Sequence, residues 1–232
     1  LLAPHERPMA RALRGERVDD FEVLVRMEDV SDRILSGSAR PLHDAQQQVM
    51  GALLVFTDIT ERKAAQRQRE RQEQVLELMA GGAPLAGVLD AIVGLVEAQP
   101  ASGLGSVMLV DGASLRLAAA PGMTPPMREW LDRVPVGEQG GACGAAVSRR
   151  EMVVVVDIQI DPLMEGYREQ AQHYGLRACW SMPVISSGGE VLATFAVYHR
   201  DVQRPGVQAL ALIDTAARLV RIAVERDRAV QA

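Results

Sequence analysis

The strongest constraint on this chain is a long run of helix formers with nothing to bury. From Glu61 to Met79 there is no Pro or Gly, and almost every residue favours a helix. Arg69 and Glu73, four apart, add a supporting ion pair. Yet Gln66 to Gln74 holds no apolar residue at all. A helix that is polar all round bridges domains through solvent rather than covering a core. The chain must therefore be jointed, with separate structure before and after this helix. Just ahead of it, Leu53, Leu54, Val55 and Phe56 end a strand, and Asp58 or Thr60 can cap the helix start.

A length of 232 residues fits one or two domains. With 48% hydrophobic and 24% charged residues, the composition is ordinary for a soluble globular chain. A net charge of -5 gives no basic footprint for nucleic acid. No apolar run reaches the roughly 18 residues of a transmembrane helix, and the start lacks the basic-then-apolar order of a secretory leader. The expectation is a cytoplasmic protein with reduced thiols. The 2 cysteines allow at most one disulfide and show no metal-site spacing.

Before the joint, residues 1–17 read as a helix around Met9, Ala10, Ala12 and Leu13 that ends at Gly15. Three strand-like runs follow, at 21–25, 32–39 and 51–56, with Pro41 to Gln48 as a polar loop. About 60 residues of this kind bury too little for an independent core. Residues 1–60 therefore read as part of a domain whose beginning precedes residue 1. After the joint, Gly81-Gly82-Ala83-Pro84 breaks the helix, and Leu85, Val88, Leu89, Ile92, Leu95 and Val96 restart one. Strands follow at 106–110 and 114–119, joined at Asp111-Gly112. Next come a short helix at 125–131, a Gly-rich loop at 137–144 opening a short helix, a near-continuous strand at 152–158 and a helix at 161–174. A hairpin at 176–198, turning at Gly188-Gly189, leads to a last helix from about Val207. This order predicts an α+β fold, an antiparallel central sheet flanked by helices, preceded by a smaller antiparallel sheet and the connecting helix. The last helix carries two apolar rows, Leu210, Ile213, Ala217, Val220 and Val224, beside Leu212, Ala216, Leu219 and Ala223. One row can cover the sheet while the other meets a partner helix, so a homodimer through the linker and C-terminal helices is expected.

Specific strings now become informative. Arg11-Ala12-Leu13-Arg14-Gly15-Glu16, Ser38-Ala39-Arg40-Pro41-Leu42 and Gly51 through Asp58-Ile59-Thr60-Glu61-Arg62-Lys63 resemble the C-terminal half of a PAS domain. The resemblance places Asp58 and Thr60 where the last strand becomes the signalling helix, a signal-relay position. At Gln46 to Gln48 the chain departs from the glycine usual in that turn. The cofactor of such a half-domain, whether flavin, haem or none, stays unknown. Gly141-Ala142-Cys143-Gly144-Ala145-Ala146, Val156-Asp157-Ile158, Asp161-Pro162-Leu163, Gly175 to Val184 and Val191 to Tyr198 resemble a GAF domain. The expected organisation is PAS remnant 1–60, linker or signalling helix 61–82 and GAF domain 83–228. The tandem implies a sensory module of a bacterial signalling protein, a histidine kinase or cyclic-di-GMP turnover enzyme, with a covalently attached output domain outside this chain.

The chemistry is sparse. Cys143 opens a helix after a Gly-rich loop, where a thiol can be acidified and reactive. The plainer account is a small buried residue beside glycines, and the same account holds for Cys179 in its strand. Strand alternation puts Cys179 and Ser181 on one face and Trp180 and Met182 on the other. The GAF resemblance implies a small-molecule pocket walled by the 161–174 helix and the strand ends at Asp157 and Cys179–Ser181. In it Asp157 can accept hydrogen bonds, Arg168 or Arg177 can hold an anion, and Tyr167, Tyr174 and Trp180 can stack on a flat group. Each of these residues also has a purely structural account, Asp157 as a turn cap and Trp180 as core. No catalytic residue and no metal ligand is expected. Gly141-Ala142-Cys143-Gly144-Ala145 is also similar to a cysteine motif of free methionine-(R)-sulfoxide reductase, a GAF-like enzyme. That enzyme's resolving thiol has no counterpart between Gln159 and Tyr174.

Overall fold

The computed structural model describes residues 3–26, 32–99 and 102–231. The chain forms two compact units that divide between Glu70 and Arg71. The division falls inside the polar helix, so the segment read as a separate linker belongs half to each unit.

In the first unit a 3-10 turn (Pro4–Glu6) and helix α1 (Pro8–Ala12) precede three strands, β1 (Val18–Val25), β2 (Arg33–His43) and β3 (Val49–Asp58). They form one antiparallel sheet in the order β1-β2-β3. Its core is small: Ala12, Val18 and Ala39 are buried, with Phe21, Ala52 and Leu54 packed against them. Leu24, Leu53, Val55 and Phe56 stay exposed. The loop expected at Pro41 to Gln48 is shorter than the sequence suggests, because β2 runs on to His43. Pairing with β1 ends at Ala39, so Pro41, opposite Ala52, sits where one edge of the strand is open. Proline is tolerated there. The remaining turn does without glycine. Gln47 takes a φ of 60°, and the Asp44 carboxylate accepts from the Gln46 and Gln48 amides at 2.9 and 2.8 Å.

Helix α2 (Thr60–Ala80) is the polar helix. Only its end carries buried apolar residues, Val75 and Met79, and both join the core of the second unit. That unit continues through α3 (Leu85–Glu97), β4 (Leu104–Asp111), β5 (Ser114–Ala119), α4 (Pro125–Leu131), β6 (Val134–Pro135), α5 (Gly141–Arg149) and β7 (Val153–Val155). A 3-10 segment (Pro162–Tyr167), α6 (Arg168–His173), β8 (Ala178–Ile185), β9 (Val191–His199) and α7 (Val207–Gln231) complete it. The six strands pair antiparallel in the order β6-β5-β4-β9-β8-β7. The long strand expected at 152–158 shrinks to three residues, since the chain turns at Asp157. The helix expected at 161–174 is broken in two. Asp161 caps its start by accepting from the Leu163 amide at 2.9 Å, and Gly166 weakens its middle.

β9 is buried on both faces, as its nearly unbroken apolar run requires. One face of the sheet, with Phe195, Val197 and Trp180, packs on Leu89 and Ile92 of α3 and Ile213 and Val220 of α7. The other, with Met108, Leu115, Ala196 and Tyr198, packs on α4 and α5. Most of both apolar rows of α7 packs in this way, while Leu210 stays exposed. Ile213, Ala217, Val220 and Val224 are buried, and so are Ala216 and Ala223 of the second row. The helix lies in a groove between α3 and the sheet, and a groove takes a wider apolar stripe than a flat face.

Candidate functional site

The site grows from the start of α5. Gly141 has φ 57°, a left-handed conformation that glycine adopts without strain. A Cβ there would come within 3.1 Å of the Met164 sulfur and 3.2 Å of the Tyr167 ring. One turn on, a Cβ at Gly144 would come within 2.3 Å of the Pro135 carbonyl oxygen. The glycines thus let α5 pass close beneath the 162–167 segment and beside β6, with Cys143 at its third position aimed at the sheet.

Facing Cys143 are Cys179 and Ser181 of β8, Thr194 and Tyr198 of β9 and Ser106 of β4, all buried. Cys143 Sγ lies 3.5 Å from the Tyr198 hydroxyl, and Ser106 Oγ donates to that same hydroxyl at 3.4 Å. The two thiols border one small cavity. A hydrogen bond from Cys179 holds the Cys143 pKa below the ordinary thiol value against the opposing effect of burial, and the hydroxyls of Tyr198, Ser181 and Thr194 add to the lowering. Cys179 is pushed well up by the sulfur of Cys143 beside it and by burial. Tyr198 is also pushed well up, by burial first and then by the neighbouring sulfurs. Ser181 Oγ and Thr194 Oγ1 are buried without a hydrogen-bond partner. Each unpaired hydroxyl costs about 1–3 kcal/mol, a cost an alanine or valine would not incur.

A cavity of about 20 Å³ lies between Cys143, Cys179, Tyr198, Met164, Tyr167 and Trp130. That is room for about one water. Its outer wall is aromatic: the Trp130 ring centre lies 5.6 Å from Tyr174 and 6.2 Å from Tyr167. Of the residues singled out in the sequence, Cys143, Tyr167 and Cys179 line this cavity, and Ser181 is buried on the same face of β8 as Cys179. Asp157 and Arg168 lie along the 157–168 connection and already have partners. Asp157 accepts from Arg177 at 2.9 Å and from the Gln159 amide at 3.0 Å, and the arginine holds its carboxyl below the usual range. Arg168 donates to the Asp161 carbonyl at 3.0 Å, while its Nε is buried without a partner. Trp180 points to the opposite face. There its ring sits 4.1 Å from that of His199 and its Nε1 donates to the Gln203 carbonyl at 3.3 Å. Trp130, Tyr198, Thr194 and Ser106 went unrecognised. Thr194, Ala196 and Tyr198 share a face by the period of two, so that signal was present in β9. Trp130 has no local signal, since the packing of α4 alone brings it to the cavity.

Two further sets of contacts bear on relay. In the first unit, Asp58 Oδ1 accepts from the Thr60 amide and hydroxyl at 2.9 and 2.5 Å, and Asp58 pairs with Arg33 at 3.2 Å. Thr60 Oγ1 in turn accepts from the Ile34 amide at 2.9 Å, so the start of α2 is tied to β2. In the second unit Arg150, which caps α5, donates to the Gly189 carbonyl at the β8–β9 turn. Ser187 of that turn donates its amide and hydroxyl to Glu225 of α7 at 2.7 and 3.0 Å. Arg228 of α7 reaches Glu190 at 3.0 Å. Arg226 donates to the Met79 carbonyl at the end of α2.

A curled antiparallel sheet with helices on both faces and a pocket under α5 defines a GAF-like fold. The GAF domain family profile matches residues 84–224, and the chain belongs to that family. Ahead of the GAF domain, residues 2–64 match the PAS fold. A methyl sulfide methyltransferase-associated sensor of Methanosarcina acetivorans is 37% identical over 180 residues, 77% of this chain. The chain spans only 18% of that relative's length. Among solved structures, the GAF domain of a phosphoenolpyruvate-protein phosphotransferase from Coxiella burnetii superposes with a TM-score of 0.57 at 20% identity, over 72% of this chain and 98% of that one. The free methionine-R-sulfoxide reductase of Neisseria meningitidis, solved with its substrate, gives 0.57 at 19% identity, over 70% and 91%. At such identities the likeness speaks for the fold alone. Among the described residues no helix is long and apolar enough to cross a membrane.

Proposed function

We propose that this chain is the sensory and relay region of a cytoplasmic signal-transduction protein and is itself no enzyme. The pocket beneath α5 would receive a small molecule or a redox change, and α7 would carry the response to an output domain of the histidine-kinase or cyclic-di-GMP kind. The observation that carries this reading is the hydrogen-bonded path from α5 through Arg150, Gly189 and Ser187 to Glu225 on α7. It gives a change at Cys143 a physical route to the helix that leaves the domain. The Asp58–Thr60 junction would pass the state of the PAS segment into α2, whose end meets α7 at Arg226. Leu76 on α2 and Leu210 and Ile222 on α7 remain exposed, and these residues would form the homodimer contact. The name of the curated relative, a sensor, agrees with this reading.

Native mass spectrometry of the purified chain tests it. A dimer with added noncovalent mass, lost on Tyr167→Ala, supports a ligand sensor. A dimer of bare chain mass supports a ligand-free dimerising spacer, and a monomer removes the helix-mediated dimer.

One observation favours a second reading. Sequence position gives Cys143 no resolving thiol, yet the fold brings Cys179 against it, as a thiol-dependent sulfoxide reductase would need. Turnover of free methionine sulfoxide, lost on Cys143→Ser, would establish that activity, and its absence at high enzyme concentration removes it.

A further inference from the structure

The polar cluster under α5 holds more chemistry than ligand binding asks for. Two thiols from separate elements, α5 and β8, meet inside one core cluster. They border a cavity of about 20 Å³, enough for one molecule about the size of water. The Tyr198 hydroxyl touches the Cys143 sulfur, and two further buried hydroxyls lie on its side of the sheet. Tyr198 stands 3.5 Å away, and Ser181 and Thr194 have no partner of their own. Beside a neutral thiol, a weak acceptor, the last two hydroxyls are wasted. Beside a thiolate or a sulfur-bound oxygen they become donors to a strong acceptor. Such a set suits a charged or oxidised sulfur at position 143 better than a neutral thiol.

We propose that Cys143 and Cys179 form a redox-active dithiol, which a peroxide converts to an intramolecular disulfide within the domain. The proposal rests on the sensory reading above and names the chemistry of its input. In the first step the Cys143 thiolate attacks one peroxide oxygen. The O–O bond breaks, an S–O bond forms and hydroxide leaves, taking up the proton that Cys143 had released. Cys143 is then a sulfenic acid and the peroxide has become water. In the second step the Cys179 sulfur attacks the Cys143 sulfur. The S–O bond breaks, the S–S bond forms, and hydroxide leaves with the Cys179 proton as a second water. The two sulfurs together lose two electrons and the peroxide gains them. A dithiol reductant reverses the change by exchange through a mixed disulfide. The pair fits this order of events, since attack needs an ionised sulfur at Cys143 and resolution needs a thiol that has kept its proton nearby. The new bond would tie α5 to β8, the strand that leads to the Ser187 turn and so to Glu225 of α7.

The test uses the chain with its native residues. It is reduced, freed of reductant, exposed to hydrogen peroxide, quenched with catalase, unfolded and alkylated. Before peroxide, both thiols take up the alkylating reagent. Afterwards neither does, the chain mass falls by two hydrogens, and a digest contains a peptide joining Cys143 to Cys179. In Cys179→Ser the reaction stops at a Cys143 sulfenic acid that dimedone captures. Three results overturn the proposal. In the first, both thiols stay alkylatable at peroxide levels that fully oxidise free glutathione. In the second, Cys143 proceeds to sulfinic acid while Cys179 stays a thiol. In the third, the disulfide joins two chains rather than closing within one. Hydrogen exchange of α7 in reduced and oxidised protein separates this proposal from the reading beneath it. A disulfide that forms without any change in α7 supports the modification site and counts against the sensory path.

Discussion

Thr194→Val puts the unpaired hydroxyls to work as a quantitative prediction. Thr194 is fully buried in β9, and its Oγ1 has no partner. Valine keeps the shape and exchanges the hydroxyl for a methyl, and a β-branched residue suits this interior strand. Removing an unsatisfied buried hydroxyl recovers about 1–3 kcal/mol. In a unit of this size each kcal/mol moves the midpoint by about 2–4 °C, so a gain of about 2 kcal/mol should raise the melting of the second unit by about 4–8 °C. Calorimetry at mildly acidic pH, where Cys143 is neutral, measures this directly. The pH dependence then supplies a second check. The folded pKa of Cys143 lies below the ordinary thiol value of about 8.5. Its ionisation therefore contributes stability that is fully present above the ordinary value and is lost as pH falls through the folded one. The Thr194 hydroxyl, though without a hydrogen bond of its own, favours the ionised sulfur of Cys143. The advantage of the valine variant should accordingly narrow as pH rises. A variant less stable than wild type even in acid would refute the claim that the hydroxyl is unpaired. An equal gain at every pH would refute its role toward the thiolate.

Three other perturbations follow from the same geometry. Arg177→Ala removes the main cause of the low Asp157 pKa. The stability of that pair is present above the ordinary carboxylate value and lost as pH falls, so the variant should melt with a weaker acid dependence, and an NMR titration should find the Asp157 carboxyl moved up. Trp180→Phe deletes the bond to Gln203 and part of the contact with His199. It should cost about 1–2 kcal/mol in denaturant unfolding and leave the alkylation rate of Cys143 unchanged, because the ring lies on the other face of the sheet. Asp58→Ala should speed hydrogen exchange in the first turn of α2 and leave the melting of the second unit where it was; a lower second-unit midpoint would contradict the division at Glu70.

Much of the fold was legible because it rests on local pattern. Leu85, Val88, Leu89 and Ile92 announce α3 by spacing, and the run from Val191 to Tyr198 announces a strand buried on both faces. The polar stretch from Gln66 to Gln74 announced a joint, and the units do divide inside it. Tertiary context decided what pattern could not. Pro41 looked like the end of a strand because its tolerance depends on β1 stopping at Ala39, a fact of pairing. One of the two apolar rows of α7 was expected to face a partner helix, and residues of both rows, Ile213 and Val220 beside Ala216 and Ala223, pack within this domain, since the groove beside α3 takes a wide stripe. At the site, alternation along β8 placed Cys179 and Ser181 together and Trp180 apart. The meeting of Cys143 with Cys179 was not legible, because the two are brought together only by α5 crossing the sheet. Arg177, considered as an anion holder, was instead spent on Asp157.

The central claim is that a change at Cys143 reaches α7 through the β8–β9 turn. Hydrogen exchange of Val220–Arg228, compared between wild type and Cys143→Ala, tests it, with the same pair measured again in a Glu225→Ala background. The account predicts altered exchange in that stretch of α7 when Cys143 is changed, and no such response once Glu225 can no longer accept from Ser187. Exchange in α7 that is indifferent to Cys143, or that responds equally without Glu225, would contradict it.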